Sequence, residues 1–443
     1  MEHVNGDVEL GYMVKESAKS LLYSLKQEDS QANQSSPSIF MAPRVLRDLS
    51  PSSFDPLVVS IGPLHKRHEN VQTFEKKKAS YLKALIDRTK SPPEEILESC
   101  MREAYSSMNK IKGFYVWTEN YSDAKIAKMM VMDACFILEF MVKSKESACQ
   151  SYQGRLLQYY SVLHDMVLLE NQIPLFFLDK IFQRTIFKVL GNTPLVELIL
   201  PVLKAHNLFG VDMETKNISI DDTTTPHILD LLHKCYTPQN DNPTNTEPAS
   251  RIPTHSAVNL YRAGINIRPN QNPKWLMELK VEKNWFRCFY GWSMLSLKMP
   301  VLKVHDSTEF LLRNLIAYEQ SFQSDKLHSY VTSFALAMDM LMNTQEDVAK
   351  LIDSGVLINH MGSNEEAANM INNICKHVTW EEFIYGKLWK EIDDHCNDYW
   401  PKHIAKMWTT YFSSPWSMIA LIAGIMLFTL AVIDTIFTVN PPE

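Results

Sequence analysis

The apolar residues of this chain recur mainly with the three- and four-residue spacing of helices. Within residues 75–86, four apolar side chains share one face and lysines occupy the other: Tyr81, Leu82, Leu85 and Ile86. This pattern predicts an amphipathic helix. Comparable patterns predict a helix that starts at Pro92-Pro93, helices over 129–142, 310–322 and 331–342, and a helix over 156–170 that stops before Pro174.

Capping and extended patterns add to this helical picture. Thr344, with Asp347 three residues later, predicts a capped helix start. Asn364 predicts a second cap, before residues 365–375. Short extended pieces are predicted at 57–61, 265–267 and 302–304.

The last apolar run of the chain differs from the others. Between Trp416 and Ile433 no residue is charged, and at ~1.5 Å per residue the run spans about 27 Å, close to the ~30 Å hydrocarbon core of a bilayer. Trp408, Tyr411 and Trp416 cluster at its start, where aromatic rings settle among lipid headgroups. The run therefore predicts a transmembrane helix, with a buried core helix as the alternative.

Charges beside this run predict its orientation. Lys402 and Lys406 precede it, whereas only Asp434 and Glu443 lie at its far end. The positive-inside rule then places the large N-terminal domain in the cytosol and the C-terminus on the far side. An acidic start without an apolar stretch provides no signal peptide. We expect a single-pass protein of the plasma membrane whose C-terminal helix contacts membrane lipid.

The fold class predicted is mainly α: a large helical soluble domain of two lobes with a few short strands, plus one C-terminal transmembrane helix. A loop at 237–256, rich in Pro, Asn and Thr and expected to be mobile, separates a first lobe at 38–236 from a second at 257–410. Residues 1–37 form a polar segment expected to be loosely ordered, and residues 414–438 hold the transmembrane helix and a short tail.

Composition narrows the function classes. Apolar residues make up 45% of the chain, enough for a sizeable core, whereas 13 glycines are few for phosphate-binding loops. The net charge of −7 and the lack of a basic stripe argue against nucleic-acid binding. Seven scattered cysteines are typical of a reducing compartment.

Two clusters hold metal-ligand residue types. His65 and His68, with Glu69, could place ligands on one helical turn. Gly62-Pro63 precede them, however, which predicts a loop without a third local ligand, so a surface histidine pair is the favoured interpretation.

The second cluster is the run Asp393-Asp394-His395-Cys396. Consecutive side chains on a helix diverge, which disfavours a shared ion. No metal and no cofactor is predicted.

Acidic residues within the apolar helices raise the question of catalysis: Asp133, Glu139, Asp165 and Glu170. Buried acids can serve as general acids, but they can equally satisfy backbone or basic groups. The chain has no Gly-x-Ser-x-Gly elbow, Walker loop or His-Glu-x-x-His. A structural role is therefore favoured, and an enzyme with an inter-lobe pocket that uses buried carboxylates stays the alternative.

Five strings follow one another along the chain: SIGPLH at 60–65, MDACFILE at 132–139, LLENQIP at 168–174, HILDLL at 227–232 and NLIAYEQ at 314–320. With the apolar tail, they resemble a plant family known as domain of unknown function 247, or the UPF 0481 proteins, over residues 38–440. The chain departs from the family pattern with Ala134 in place of glycine and Asp434 in place of glutamine.

The resemblance implies a plant, mostly helical, single-pass membrane protein without established catalytic activity, so no catalytic residue can be assigned from it. Some grass members are tied to pollen self-incompatibility. This suggests recognition, signalling or scaffolding through protein partners.

Within these strings, polar residues beside helix ends are predicted to be structural, because helix ends leave backbone groups that need partners. A buried Glu170 would need a cation, for which Arg155 and Lys180 are candidates by sequence proximity. Our hypothesis is that both central strings lie at the contact between the lobes. The candidates for this structural role are Asp133, Glu139, Glu170, Asn171, Gln172, Pro174, Asn314, Glu319 and Gln320.

Overall fold

The structure is a computed structural model of the 443-residue chain. It describes residues 14–19, 22, 37–116, 121–147, 156–213, 225–238, 247–248, 252–285, 293–321, 329–379, 382–397 and 415–439. Most of the predicted polar segment 1–37 and of the predicted loop 237–256 lies outside the described residues, as do Arg155, Lys402, Lys406, Trp408 and Tyr411.

The chain divides into two compact units. Unit 1 comprises Met1–Ala42, Phe54–Ala205 and Ile218–Leu231, and unit 2 comprises Pro43–Ser53, His206–Asn217 and Leu232–Glu443. The boundaries predicted for the two lobes remain a prediction. The mainly helical fold with a few short strands is confirmed.

The helices of the chain up to Tyr236 are α1 (Arg44–Arg47), α2 (Gln72–Thr89), α3 (Pro93–Ser106), α4 (Met108–Gly113), α5 (Asp123–Ser147), α6 (Leu156–Asp165), α7 (Leu175–Arg184), α8 (Leu195–Ala205) and α9 (Ile228–Tyr236), with 3₁₀ turns at Pro51–Ser53 and Glu69–Val71. Helix α5 lies at the centre of unit 1 and packs against α2, α3, α7 and α8. It is apolar on nearly all sides, as expected of a helix that is enclosed by others.

Later helices are α10 (Ala257–Arg262), α11 (Asp306–Gln320), α12 (Tyr330–Leu341), α13 (Gln345–Asp353), α14 (Asn364–Ile374), α15 (Gly386–Asn397) and α16 (Pro415–Val439). The strands are β1 (Glu247–Pro248), β2 (Asn266–Pro269), β3 (Lys280–Trp285), β4 (Ser293–Met299), β5 (Leu302–Val304), β6 (Leu357–Asn359) and β7 (Glu382–Phe383). Helices α11 and α12 form much of the core of unit 2, where they pack on each other and on α14.

The strands that the structure describes pair in three small sheets. Strand β4 lies between β2, to which it is parallel, and β3, to which it is antiparallel. Strands β5 and β6 pair in parallel, and β1 pairs with β7 antiparallel. Two of the predicted extended pieces thus fall on β2 and β5. The third, at 57–61, was wrong, because its amides bond to side chains instead of a neighbouring strand.

Helix ends differ from the predictions in two places. Helix α6 ends at Asp165 and not at residue 170, because the side chains of Asn171 and Gln172 bind the carbonyl oxygens of Asp165 and Met166 in place of helical amides. Ser363 caps α14, accepting from the Glu366 amide, whereas the predicted cap Asn364 is the first helical residue. The Thr344–Asp347 capping box is confirmed.

Helix α16 is the long apolar helix predicted at the end of the chain. Its segment Trp416–Thr435 has 20 residues with a mean hydropathy of 2.4, and none of that segment is buried against the protein. Among the described residues it is the one helix long and apolar enough to cross a membrane.

Candidate functional site

Asp165, at the end of α6, holds the irregular backbone of residues 57–59 in unit 1. Its fully buried carboxylate accepts three amides, at 2.7, 2.8 and 2.8 Å, from Leu57, Val58 and Val59. His164 Nδ1 lies 3.0 Å from the same carboxylate. One side chain thus takes the place of a neighbouring strand for three residues.

Asn171 continues this contact further along the same backbone. Its Oδ1 accepts the Ile61 amide at 2.6 Å. Its Nδ2 donates to the carbonyl oxygens of Val59, at 3.0 Å, and Asp165, at 2.8 Å. The asparagine of the LLENQIP string therefore joins the end of α6 to residues 55–68, which we call the signature loop.

Asp133, at the centre of α5, is the third anchor of the signature loop. Its carboxylate lies 2.5 Å from Lys78 Nζ and accepts the Gly62 amide at 2.9 Å. Lys78 also donates to the Ser60 carbonyl and lies 2.6 Å from Glu75. Asp133 and Lys78 are both fully buried, so each supplies the charge that the other requires.

Burial alone would lower the pKa of Lys78, but the carboxylates of Asp133 and Glu75 outweigh the effect of burial and leave the pKa raised.

The backbone at Gly62 requires a glycine. Gly62 has φ +76°, and a Cβ there would lie 2.6 Å from the Gln172 carbonyl oxygen. Only glycine fits this position without strain.

Two cations were suggested for Glu170 by sequence proximity. Arg155 lies outside the described residues, and Lys180 pairs with Glu103. Instead, Glu170 Oε2 lies 2.8 Å from His65 Nε2, and Oε1 accepts the Ala42 amide at 2.7 Å. Both Glu170 and His65 are fully buried, so the interpretation of His65 as a surface residue was wrong.

Gln172 and Pro174 complete the turn after α6. Gln172 Nε2 donates at 2.8 Å to the carbonyls of Met166 and Leu168, and its Oε1 accepts the Leu229 amide at 3.4 Å. Pro174 is the N-cap of α7, so this proline starts a helix as well as preventing the previous one from continuing.

Glu139, also on α5, pairs with a cation at the edge of unit 1. Arg88 donates to it through Nε at 2.7 Å and through its terminal nitrogen at 3.1 Å. Hydrogen bonds to Glu146 and then Glu139 raise the pKa of Arg88. Lys143 Nζ lies 3.4 Å from Glu139.

Glu319 accepts backbone amides in unit 2, as Asp165 does in unit 1. Its carboxylate accepts the amides of Val331, at 2.8 Å, and Thr332, at 2.7 Å, and the Thr332 hydroxyl at 2.6 Å. His233 Nε2 lies 2.8 Å from the same carboxylate. Glu319 therefore satisfies the first amides of α12, which a helix start leaves without intrahelical acceptors.

The side-chain amide groups of Asn314 and Gln320, in the NLIAYEQ string, also bind backbone groups. Asn314 Nδ2 donates at 2.7 Å to the carbonyls of Ser53 and Phe310. Gln320 Oε1 accepts the Thr379 amide at 3.1 Å and its hydroxyl at 2.6 Å. The four acidic residues that raised the enzyme alternative contact backbone amides or basic side chains: Asp133, Glu139, Asp165 and Glu170.

One of the two predicted clusters of metal-ligand residue types is present in the structure, but with a different third residue. Asp55, and not Glu69, joins His65 and His68 in a compact group. The second cluster does not converge, and its Asp393 lies 2.8 Å from His255. Asp55 was missed because it precedes the histidines by ten residues of irregular backbone.

The pairing of Glu103 was also missed by sequence reasoning. This nearly buried acid of α3 accepts from Lys180 at 2.7 Å, from Arg184 Nε at 3.0 Å and from the Ser107 hydroxyl at 3.0 Å. Burial alone would raise its pKa, but these hydrogen bonds lower the pKa from 4.5 to about 2. The lysine and arginine follow one another at the spacing of one helical turn on α7.

This pKa predicts a pH dependence. Because the folded pKa lies below the unfolded one, Glu103 stabilises the fold above about pH 4.5, and the contribution is lost as pH falls toward 2. Since its cations are about 40% exposed, we expect about 1–2 kcal/mol. Glu103→Gln should lower the melting temperature at pH 6 but have a progressively smaller effect toward pH 3. An equal deficit at both pH values, or none at pH 6, would contradict this.

Comparison with known proteins agrees with the five strings. A family profile described as a plant protein of unknown function, DUF247, matches residues 39–430. One UPF0481 protein of Arabidopsis thaliana is 25% identical over 435 residues, covering 91% of this chain and 86% of the relative. Another is 23% identical over 500 residues, covering 93% and 92%. No solved structure matches the chain. Neither the family description nor the relatives' names indicate a catalytic activity.

Proposed function

We propose that this chain, which belongs to the plant DUF247 family, is a single-pass membrane protein that presents a helical domain for the recognition of protein partners. The observation that carries the proposal is α16. Its segment Trp416–Thr435 is apolar over 20 residues and wholly unburied. A soluble core helix of this length would be covered by other elements.

The exposed side chains of α16 support insertion into lipid. Trp416 is 80% exposed, Phe428 71% and Leu427 68%. Removal of a large apolar side chain from water is worth about 1.5–3 kcal/mol, and a bilayer provides this along the whole helix. The helix satisfies its own backbone groups, which the hydrocarbon core requires.

Recognition is favoured over catalysis by the buried acids. Asp133, Asp165, Glu170 and Glu319 each contact backbone amides or basic side chains, as a structural role requires. A domain of this kind can act through its surface, with protein partners and without nucleic acid. The role in pollen self-incompatibility suggested for some grass relatives would be one form of such recognition.

In the proposed orientation, the part of the chain that precedes α16 lies in the cytosol. Lys402 and Lys406, which stand just before the helix, support this orientation. A protease added outside intact, right-side-out plasma-membrane vesicles should leave an N-terminally tagged protein intact. The same protease should digest it once detergent opens the vesicles.

Digestion of the tagged domain in intact vesicles would contradict this orientation. Glycans at the sequons of Asn120 or Asn217 would also contradict it, because glycosylation takes place on the luminal side.

A further inference from the structure

Three ligand-type side chains converge at the signature loop. One ligand atom from each of Asp55, His65 and His68 lies within 4.8 Å of the other two. His65 Nδ1 is 3.4 Å from His68 Nε2, and the two rings are nearly perpendicular, at 86°. In the part of the chain that the structure describes, this is the one group of three or more such side chains.

The distance between the two ring nitrogens fits a shared metal ion better than a direct hydrogen bond. Hydrogen bonds donated by protein nitrogens have donor–acceptor distances of about 2.7–3.2 Å, shorter than the 3.4 Å found here. Zinc binds imidazole nitrogen at about 2.0–2.1 Å, and two ligands at a tetrahedral angle are then roughly 3.4 Å apart. The nitrogens therefore stand at the two ends of one edge of such a tetrahedron.

Glu170 lies beside His65, as an acid lies beside many metal-binding histidines. Glu170 Oε2 is 2.8 Å from His65 Nε2, and a carboxylate at that distance favours the tautomer with the ring proton on Nε2. In the neutral ring Nδ1 then carries the lone pair, and Nδ1 is the atom that faces His68. A ligating histidine commonly donates its other N–H to a carboxylate in this way.

The backbone around the three side chains is fixed before any ion binds. Leu57, two residues after Asp55, donates its amide to Asp165. Gly62, three residues before His65, donates to Asp133. The His68 amide donates to the His65 carbonyl at 3.1 Å. A ligand set on a backbone held at these points loses little conformational entropy when it binds an ion.

Charge and exposure indicate the class of ion. Two imidazoles and one carboxylate form a set that zinc and neighbouring divalent transition metals prefer, whereas calcium and magnesium favour oxygen ligands. His65 is buried, but Asp55 and His68 are partly exposed, so an ion can enter from solvent. The nearby Lys66 pairs with Glu75.

We propose that Asp55, His65 and His68 form a binding site for a zinc-class divalent ion, with the Asp55 carboxylate, His65 Nδ1 and His68 Nε2 as ligands and water as the fourth. Glu170 is the positioning residue of the site. The ion joins the two ends of the signature loop. Its binding stabilises unit 1 in proportion to the logarithm of the free ion concentration.

The test uses the full-length protein in detergent, stripped with a chelator and titrated with zinc chloride alone. We expect saturable binding of one zinc ion per chain and a melting temperature that rises with zinc. Cobalt(II) should give the intense visible bands of a tetrahedral site. Outer-sphere changes typically weaken metal binding about 10–100-fold, which is the effect expected of Glu170→Gln, and His68→Ala should weaken it by more than about 100-fold.

His255→Ala is the matched control, because His255 also lies 2.8 Å from a carboxylate, that of Asp393, but in unit 2. It should bind zinc like the wild type. Asp55→Asn provides a second ligand variant should His68→Ala not fold. The proposal is overturned if the wild-type protein binds no zinc saturably, or if folded His68→Ala or Asp55→Asn binds it with wild-type affinity.

Discussion

Asp133→Ala is expected to lower the free energy of unfolding by about 3–5 kcal/mol, because it leaves the buried Lys78 ammonium without its main counter-charge. The Gly62 amide loses its acceptor at the same time. In a unit of this size the melting temperature should fall by about 6–20 °C. Urea unfolding of the full-length protein in a mild detergent measures the change directly.

A double variant separates the contribution of the Asp133–Lys78 ion pair to stability from that of the other contacts of Asp133. Lys78→Met in the Asp133→Ala background removes the uncompensated charge, so it should recover part of the lost stability. The exposed pair Arg102–Glu98, whose side chains are 77% and 72% exposed, supplies the control. Glu98→Ala should change stability by less than about 0.5 kcal/mol.

If the chain is an enzyme that uses Asp133, we expect a different effect of Asp133→Ala on stability. A carboxylate kept for chemistry would be replaced at little cost, because functional sites carry strain that substitution relieves. A variant that unfolds like the wild type, or a double variant that is no more stable than Asp133→Ala, would contradict the structural role of Asp133.

Helices could be predicted because their period is a local property of the sequence. The four apolar residues predicted to share a face in 75–86 lie on α2, and the helix predicted at 129–142 is part of the central helix α5. The faces were less well predicted, because Lys78, on the predicted lysine face of α2, is fully buried beside Asp133. The capping box of Thr344 and Asp347 spans four residues, so its geometry is also local.

Strand β4 shows a signal that was present but overlooked. Leu295, Leu297 and Met299 alternate with polar residues and are all buried, which is the period of a half-buried strand. Its antiparallel partner β3 carries charged residues, and this masked the hairpin.

The polar contacts could not be predicted from the sequence, because they join residues that lie far apart along the chain. Asp165 binds Leu57 across 108 residues, and Asn314 binds Ser53 across 261. The five strings contain many of the buried polar side chains, but a sequence period does not reveal which amide a buried carboxylate will bind. Glu170 demonstrates this, since it contacts His65, which lies far from it along the chain.

Removal of α16 is expected to convert the protein from an integral membrane protein to a soluble one. No part of the segment Trp416–Thr435 is buried against the protein, and each of its large apolar side chains would gain about 1.5–3 kcal/mol from leaving water. The apolar helices that the structure describes before α16 are largely buried and leave no comparable apolar surface for lipid. Gly424→Ala is the matched control, because a Cβ at Gly424 meets no atom within 4 Å.

Alkaline carbonate extraction of membranes tests the membrane anchor most directly. The full-length chain and Gly424→Ala should both stay in the pellet, whereas a chain that ends at Lys406 should be recovered in the supernatant as a folded protein. Full-length protein released by carbonate, or a shortened chain that remains in the pellet as an integral membrane protein, would contradict a single anchoring helix at Trp416–Thr435.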